Sequence, residues 1–457
     1  MRLRQPLAVP STCDDRRFSP GVQPLNLPAY GKVEGMPMLS EDLAFRGLIH
    51  QMTDPELPKR LDEPGLTVYA GFDPSADSLH VGNLLQLCTL RRFQEAGHRP
   101  ISLAGGGTGM IGDPGGKEEE RQLLTLETIE GYLKKVRPQL GQFLDLDDAL
   151  LLNNADWLGR LSTLEYLRDV GKHFTVNQMV AKEAVRARFE RPDQGISYTE
   201  FSYMLLQAYD FLRLHVDHGC DLQFGGSDQW GNITMGIDLI RKVCGDEVWG
   251  FTTPLIVKPD GTKYGKTESG TVWLDARRTS PYTMYQFFVN TSDQQVGGLL
   301  RYLTFLSHDE IELLDTDAAE RPQQRAAQRA LARAVVGLVH GAAEAAKCEE
   351  ASAALFGEEI AGLSEEMLLA VTEDAPSTSV PRDEVLGGEF TIVEAFERTR
   401  LAKSKAEARR TVEQGGAYVN NLRQSDPARP LDRGDLLHDR YVVLRKGKKD
   451  VHIVRAT

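Results

Sequence analysis

The sequence predicts an α/β protein in three parts: a parallel-sheet domain, then an α-helical domain, then a small α+β domain. Three observations carry this. Its 457 residues exceed one ordinary domain. From about Leu39 to Val257, β-rich runs alternate with helical patterns, the mark of a parallel sheet. Residues 282–357 turn Ala-rich with apolar residues at helical spacing, as in "RAAQRALARAVVGLVHGAAEAAK".

The elements follow in order. Residues 1–38 hold Pro6, Pro10, Pro20, Pro24 and Pro28 and no hydrophobic periodicity. They lack the apolar run of a secretory signal, and Asp14, Asp15 and the prolines spoil the helix of a transit peptide. A disordered extension is expected, with Met36 or Met38 as an alternative start. Within 39–257, "LTVYAGF", "RPISLAGG" and "DALLLNNADW" read as strands, and "GNLLQLCTLRRFQEAGH" as a helix ended by Gly97. "TPLIV" reads as a further strand, before a loop and connection at 258–281. The helical domain is placed at 282–371. "TEDAPSTSVPRDEVLGG", 372–388, reads as a linker. A small basic domain fills 389–457.

Composition excludes some classes. Hydrophobic residues make up 41%, enough for real cores. The net charge of −13 argues against a uniformly basic nucleic-acid coat. Yet residues 388–457 carry 15 Lys/Arg against 10 Asp/Glu, leaving −18 on the rest. A basic tail on an acidic body points to a localised polyanion contact or to a plain solvated surface. Cys13, Cys88, Cys220, Cys244 and Cys348 are scattered, so neither a disulfide framework nor a zinc site follows; a reducing, cytoplasmic setting fits. No apolar run approaches the ~18 residues of a membrane span.

"DGTKYGKTESG", 260–270, looks like a phosphate-binding P-loop but has one residue too few between Gly261 and Gly265-Lys266-Thr267. The β-rich "GTVWL" follows it, so no helix opens there. "YAGFDPSADSLHVGN", Tyr69–Asn83, runs from a strand end into a helix. His80 and Gly82 would lie near its N-terminus, where amides favour phosphate; a helix-capping histidine is the blander reading. "GGGTGMIGDPGGK", 105–117, follows a strand with glycine enough for close approach to a ligand, or forms a mobile surface loop. "QFGGSDQWGN", 223–232, is another strand-then-glycine turn. Three such turns would gather at the C-terminal edge of a parallel sheet, where such folds bind ligands. Tyr203, Gln207 and Asp210 fall at i, i+4, i+7, on one helix face among apolar neighbours. Buried there, they need partners: a ligand or one another.

Together these segments resemble bacterial-type tyrosyl-tRNA synthetase, a class I aminoacyl-tRNA synthetase. "HVGN" stands at the HIGH signature and "KYGKT", Lys263–Thr267, at the KMSKS signature. "GGSDQWGNI" and "YMLLQAYDF" are close to family wording. The likeness runs from residue 39 to the end. It implies a Rossmann-like catalytic domain, an α-helical anticodon-arm domain and a small RNA-binding domain. It also implies a homodimer, tyrosine and ATP as substrates, Mg²⁺ with the ATP, and no dedicated metal cage.

The resemblance assigns residues too. It implies that Tyr69 and Asp210 bond the substrate phenol. Tyr203, Gln207 and Asp113 surround its ammonium, and Gln229 lies near its carboxylate. His80, Asn83, Ser75, Lys117, Arg121, Lys263, Lys266 and Thr267 match phosphate-handling or signature positions. Gly71, Asp73, Gly82, Gly226 and Asp228 match ATP contacts, with Gly226 and Asp228 at the ribose. Lys403, Lys405, Arg409 and Arg410, in or beside "SKAEARRTVEQGGAYVNN", are candidates for tRNA phosphates. Two departures stand out. Asn83 replaces the second signature histidine, and Tyr264 replaces a common Phe.

Two rivals were weighed. A tryptophanyl-tRNA synthetase shares the scaffold, but an indole N–H does not need two phenol-type partners. An RNA-binding factor that lost activation would require damaged ATP residues, and only Asn83 is altered.

Overall fold

The computed structural model describes residues 37–74, 76–113, 124–182, 185–186, 195–257, 264–267, 270–356, 358–372, 375–447 and 450–457. The expected extension therefore lies outside the described residues except for its last two positions. Ser75, Lys117, Arg121 and Lys263 lie outside them as well, as do the side chains of Lys266 and Thr267.

The first domain is built on a six-stranded sheet. Its strands are β1 (Gln51–Met52), β2 (Thr67–Phe72), β3 (Arg99–Ala104), β4 (Leu150–Asn153), β5 (Leu222–Gly226) and β6 (Trp249–Thr253). Their order is β1-β6-β5-β2-β3-β4. All neighbours run parallel except the short β1, which pairs antiparallel with β6. Strands β2 and β5 are buried almost throughout, because helices cover both faces. Alternation along β2 sends Val68, Ala70 and Phe72 into one apolar cluster and Tyr69 into the other, on the side of helix Tyr198–His218.

"TPLIV" is not the strand expected of it. The strand is Trp249–Thr253 and stops before Pro254, which has no N–H for a ladder. "GTVWL" contributes only Gly270–Thr271, β8, paired antiparallel with Lys266–Thr267, β7. Among the described residues of the lysine segment no helix opens, and Lys266–Thr267 pair as a strand. The helix after "HVGN" spans Leu84–Glu95, and Gly97 beyond it takes φ +87°.

Helices Pro281–Val289, Asp293–Leu303, His308–Glu320, Ala326–His340 and Ala342–Phe356 follow. Their apolar faces, with Phe288, Leu300, Leu331 and Val335, join the same cluster as the sheet's outer helices. The joint also carries ions. Asp42 accepts from Arg46 Nε at 2.7 Å and pairs with Arg92 Nε at 3.4 Å and His308 Nε2 at 2.9 Å. Arg46 further donates to the carbonyls of Arg301, Thr304 and Leu306.

The C-terminal part is a five-stranded sheet in the order β11-β10-β12-β13-β9. The supposed linker supplies its edge: β9 is Ser377–Val380, pairing parallel with β13 (Asp450–Ala456), and a helix follows at Arg382–Leu386. Prolines at 376 and 381 suggested a loop, but they only bracket the strand, a position an edge strand tolerates. Between them Val380 enters the core. The strands β10 (Ala417–Val419), β11 (Leu422–Gln424) and β12 (Tyr441–Lys446) complete the sheet. Among the described residues no helix is long and apolar enough to cross a membrane.

Candidate active site

From β2 the chain steps outward through β3 and β4 on one side of the sheet, and through β5 and β6 on the other. Between β2 and β5, where the order reverses, the loops diverge and leave a crevice. A cavity of about 290 Å³ opens there. Its walls include Gly71, Asp73, His80, Gly82, Asn83, Asp113, Tyr203, Gln207, Asp210, Gly226, Asp228 and Gln229. All three glycine-bearing turns therefore reach one place.

Asp210 is fully buried, yet both its oxygens are bonded. Trp157 Nε1 donates to one at 2.7 Å and Asn154 Nδ2 to the other at 2.9 Å. Burial raises the carboxyl to about 7, Asn154 and Trp157 pull it down, and the charge of Asp73 pushes it up. Tyr69 is not part of the cavity wall. Its ring packs on Phe211 at 5.3 Å, and its buried hydroxyl has no hydrogen-bond partner in the structure. Burial, then the charge of Asp210, push its pKa well up. An unpaired buried hydroxyl near a carboxylate costs about 1–3 kcal/mol, so a ligand group reaching both would relieve it.

A second network fixes the opposite wall. Tyr203 donates its hydroxyl to Asp73 Oδ2 at 2.9 Å, and Thr108 donates to Asp73 Oδ1 at 2.9 Å. Asn154 Nδ2 also reaches Thr108 Oγ1 at 2.9 Å, which joins the two networks. Gly105 makes room for this: a Cβ there would collide with Asp73 and Thr108. Gln229 Nε2 donates to Asp113 Oδ2 at 2.6 Å. Asn232 Nδ2 donates to Gln207 at 2.9 Å and Gln229 at 3.1 Å. Several carboxylates and amide oxygens thus face one small space, a setting suited to a cation.

His80 caps its own turn. Its Nδ1 accepts from Gly82 N–H at 3.0 Å, so the neutral ring carries its proton on Nε2. Asn83 Oδ1 accepts from His80 N–H at 3.1 Å, which leaves its NH₂ group as the donor. The histidine caps its turn, as the blander reading expects, and also lines the cavity. Leu255, half exposed, closes the side beside Gly226.

Sequence reasoning missed Asn154, Trp157, Thr108, Asn232, Gln223 and Leu255. "LLNNADW" was read only as a strand, although two asparagines and a tryptophan at a strand's C-terminal end are a usable signal. Lys403, Lys405, Arg409 and Arg410 are each exposed, the last three on helix Lys405–Glu413 of the tail and Lys403 just before it. Lys405 is paired with Glu394 at 2.9 Å.

Comparison with known proteins points one way. Residues 62–357 match the family model of class I tRNA synthetases for W and Y, and 371–454 match the tyrosine–tRNA ligase SYY-like C-terminal domain. The chain is 51% identical over 424 residues to the tyrosine–tRNA ligase of Roseiflexus castenholzii, covering 92% of this chain and 100% of that one. It is 50% identical over 426 residues to that of Bacillus caldotenax, with 92% and 100% covered. Among solved structures it resembles a C-terminally truncated mitochondrial tyrosyl-tRNA synthetase of Aspergillus nidulans. That match has a TM-score of 0.63 at 32% identity and covers 71% of this chain and 95% of that one.

Proposed function

This chain belongs to the tyrosine–tRNA ligases, class I synthetases that activate tyrosine with ATP and pass it to tRNA, and from that membership we propose how its own residues divide the work. The observation that carries the assignment is the buried Asp210 carboxylate in the cavity wall, whose charge acts on the buried, unpaired Tyr69 hydroxyl behind it. The substrate phenol donates to Asp210 and accepts from Tyr69. Phenylalanine would leave both unanswered and is rejected for that reason.

The ammonium sits among Tyr203, Gln207 and Asp113, with Asp73 adding charge through Tyr203. Gln229 orients the carboxylate, itself the nucleophile, so no general base is needed. A carboxylate oxygen bonds to the α-phosphorus of ATP, and pyrophosphate leaves with the electrons of the broken P–O bond. Catalysis is then alignment and charge stabilisation. His80 Nε2–H and the Asn83 NH₂ are donors for the phosphates. Ser75, Lys117, Arg121, Lys263, Lys266 and Thr267 take the remaining phosphate roles. Gly71, Gly82, Gly226 and Asp228 hold the nucleoside, with Leu255 against the base. Mg²⁺ arrives with ATP as part of the substrate. Among the described residues no group of three His, Cys, Asp or Glu side chains could cage it.

The second step transfers tyrosine to the tRNA 3′ end, with the exposed Lys403, Lys405, Arg409 and Arg410 as phosphate contacts. The working unit is a homodimer, and the surface that supports this is apolar. In the parallel-sheet domain Leu164 is 79% exposed, Tyr198 69% and Val176 63%, although Leu313 of the helical domain is 67% exposed too. The four described cysteines are free thiols, which fits the cytoplasm. Tyrosine-dependent exchange of pyrophosphate into ATP, without tRNA, tests the assignment. The parent should catalyse it and Asp210→Asn should not.

A further inference from the structure

Tyr264 lies two residues before Lys266, yet it is buried and forms no part of the cavity wall. Its ring meets Phe287 edge-on at 5.2 Å, in the first helix of the helical domain. Its hydroxyl approaches Thr291 without forming a hydrogen bond in good geometry. Thr291 is itself pinned, since its carbonyl accepts from Arg325 at 2.9 Å. Gln295, from the next helix, donates to the Val257 carbonyl at 2.8 Å.

The neighbouring residue faces the other way. Gly265 has φ +88°, and a Cβ there would stand 2.6 Å from Val81 Cγ2 and 3.5 Å from Gly82 N. Any side chain would push the segment off the His80–Gly82 turn. Backbone bonds complete the clamp: Val272 N–H to Gly265 at 2.9 Å, Val81 N–H to Val272 at 3.1 Å, and Leu274 N–H to Leu79 at 2.8 Å. One dipeptide is therefore gripped on one side by the helical domain and on the other by the turn that carries His80.

We propose that Tyr264 is a positioning residue for tyrosine activation: its ring, seated on Phe287 with its hydroxyl beside Thr291, holds Gly265 against Val81 and Gly82 and so fixes where Lys266 begins. The proposal rests on the reading above in which Lys266 handles the phosphates. It goes further by giving two residues of the helical domain a part in ATP chemistry. The ring, rather than the poorly aligned hydroxyl, carries the role.

The test uses the full-length protein in pyrophosphate exchange, with tyrosine Kd measured by equilibrium dialysis. Misplacing a reacting group by ~1 Å costs on the order of 10²-fold. Tyr264→Ala should therefore lower kcat by roughly 10- to 100-fold and leave tyrosine Kd unchanged. Tyr264→Phe should keep the parent rate, and Phe287→Ala should show the same kcat loss in milder form. Because Tyr264 acts through Lys266, the double variant Tyr264→Ala/Lys266→Ala should be no slower than Lys266→Ala alone. Unchanged tyrosine Kd shows that each variant is folded. A parental kcat in Tyr264→Ala, additive losses in the double variant, or equal losses in kcat and tyrosine affinity each overturn the proposal. If Lys266→Ala is slow while Tyr264→Ala is fast, the proposal alone fails. If Lys266→Ala is itself parental, the reading of the lysine fails and takes the proposal with it.

Discussion

Trp157 donates its indole N–H to Asp210 at 2.7 Å, across 53 residues of sequence. The bond ties the turn after β4 to the buried face of helix Tyr198–His218. Asp210 is thus presented to the crevice in part by an indole that is itself no part of the cavity wall. Trp157→Phe keeps the ring and deletes the donor. A hydrogen bond to a charged group is worth about 1.5–3 kcal/mol, so tyrosine Kd should rise by roughly 10- to 100-fold. Equilibrium dialysis measures it, and an unchanged Kd would remove Trp157 from the specificity machinery.

Asp210→Ala should abolish tyrosine activation while the chain stays folded, because the phenol loses its acceptor. Circular dichroism checks the fold and pyrophosphate exchange the activity. Parental activity would mean that the phenol binds elsewhere.

The same carboxyl predicts a pH signature. Its pKa is raised to about 7 by burial, so the folded state holds the proton more tightly than the unfolded chain does. The associated stability is complete below the unfolded value near 4 and is lost as pH rises through about 7. Asp210→Asn never ionises. Its stability should gain on the parent's between pH 5 and pH 8, by an amount on the order of 4 kcal/mol or less, read as a rise in relative Tm. A constant Tm difference across that window would contradict a buried, raised carboxyl.

Much of the crevice was legible because polar residues at helical spacing among apolar ones betray a shared face. Tyr203, Gln207 and Asp210 needed no structure for that. Asn154 and Trp157 announce themselves only as polar residues at a strand's end; that both meet Asp210, more than 50 residues away, was not legible, since no local period links them. The helix after His80 could be read from its cap and its final glycine. The strand at Ser377–Val380 could not, because its hydrogen bonds come from β13, over 70 residues later. Local composition spoke for a linker, and tertiary pairing overrode it.

Lys266→Ala or Lys263→Ala should slow adenylate formation by orders of magnitude and spare tyrosine Kd. These lysines answer charge that develops on the departing pyrophosphate, so kcat suffers rather than ground-state binding. An equal loss in tyrosine Kd would count against them.

Truncation after Val371 should leave pyrophosphate exchange intact, because no cavity residue lies downstream. Aminoacylation should fall sharply, and the salt dependence of remaining tRNA binding should flatten with the loss of the tail's positive charge. The cut is not clean. Tyr441 bonds Glu365 at 3.0 Å and His438 the Leu363 carbonyl at 2.8 Å, so the end of the helical domain will be newly exposed. Retained aminoacylation with an unchanged salt slope would show that the tail is not the RNA contact. Loss of both activities would place the tail among the supports of the core.

The Asp42 cluster sets a rule for anyone recombining this protein with its relatives. One carboxylate answers two guanidinium groups and a histidine, drawn from the helix at Leu39–Phe45, the helix at Leu84–Glu95 and the helix at His308–Glu320. A chimera that imports a foreign first helix without Asp42 leaves the buried Arg92 guanidinium without its carboxylate, a fault worth about 3–5 kcal/mol. Residues 39–371 are therefore one inheritable block, and a productive crossover falls after the helical domain rather than before it.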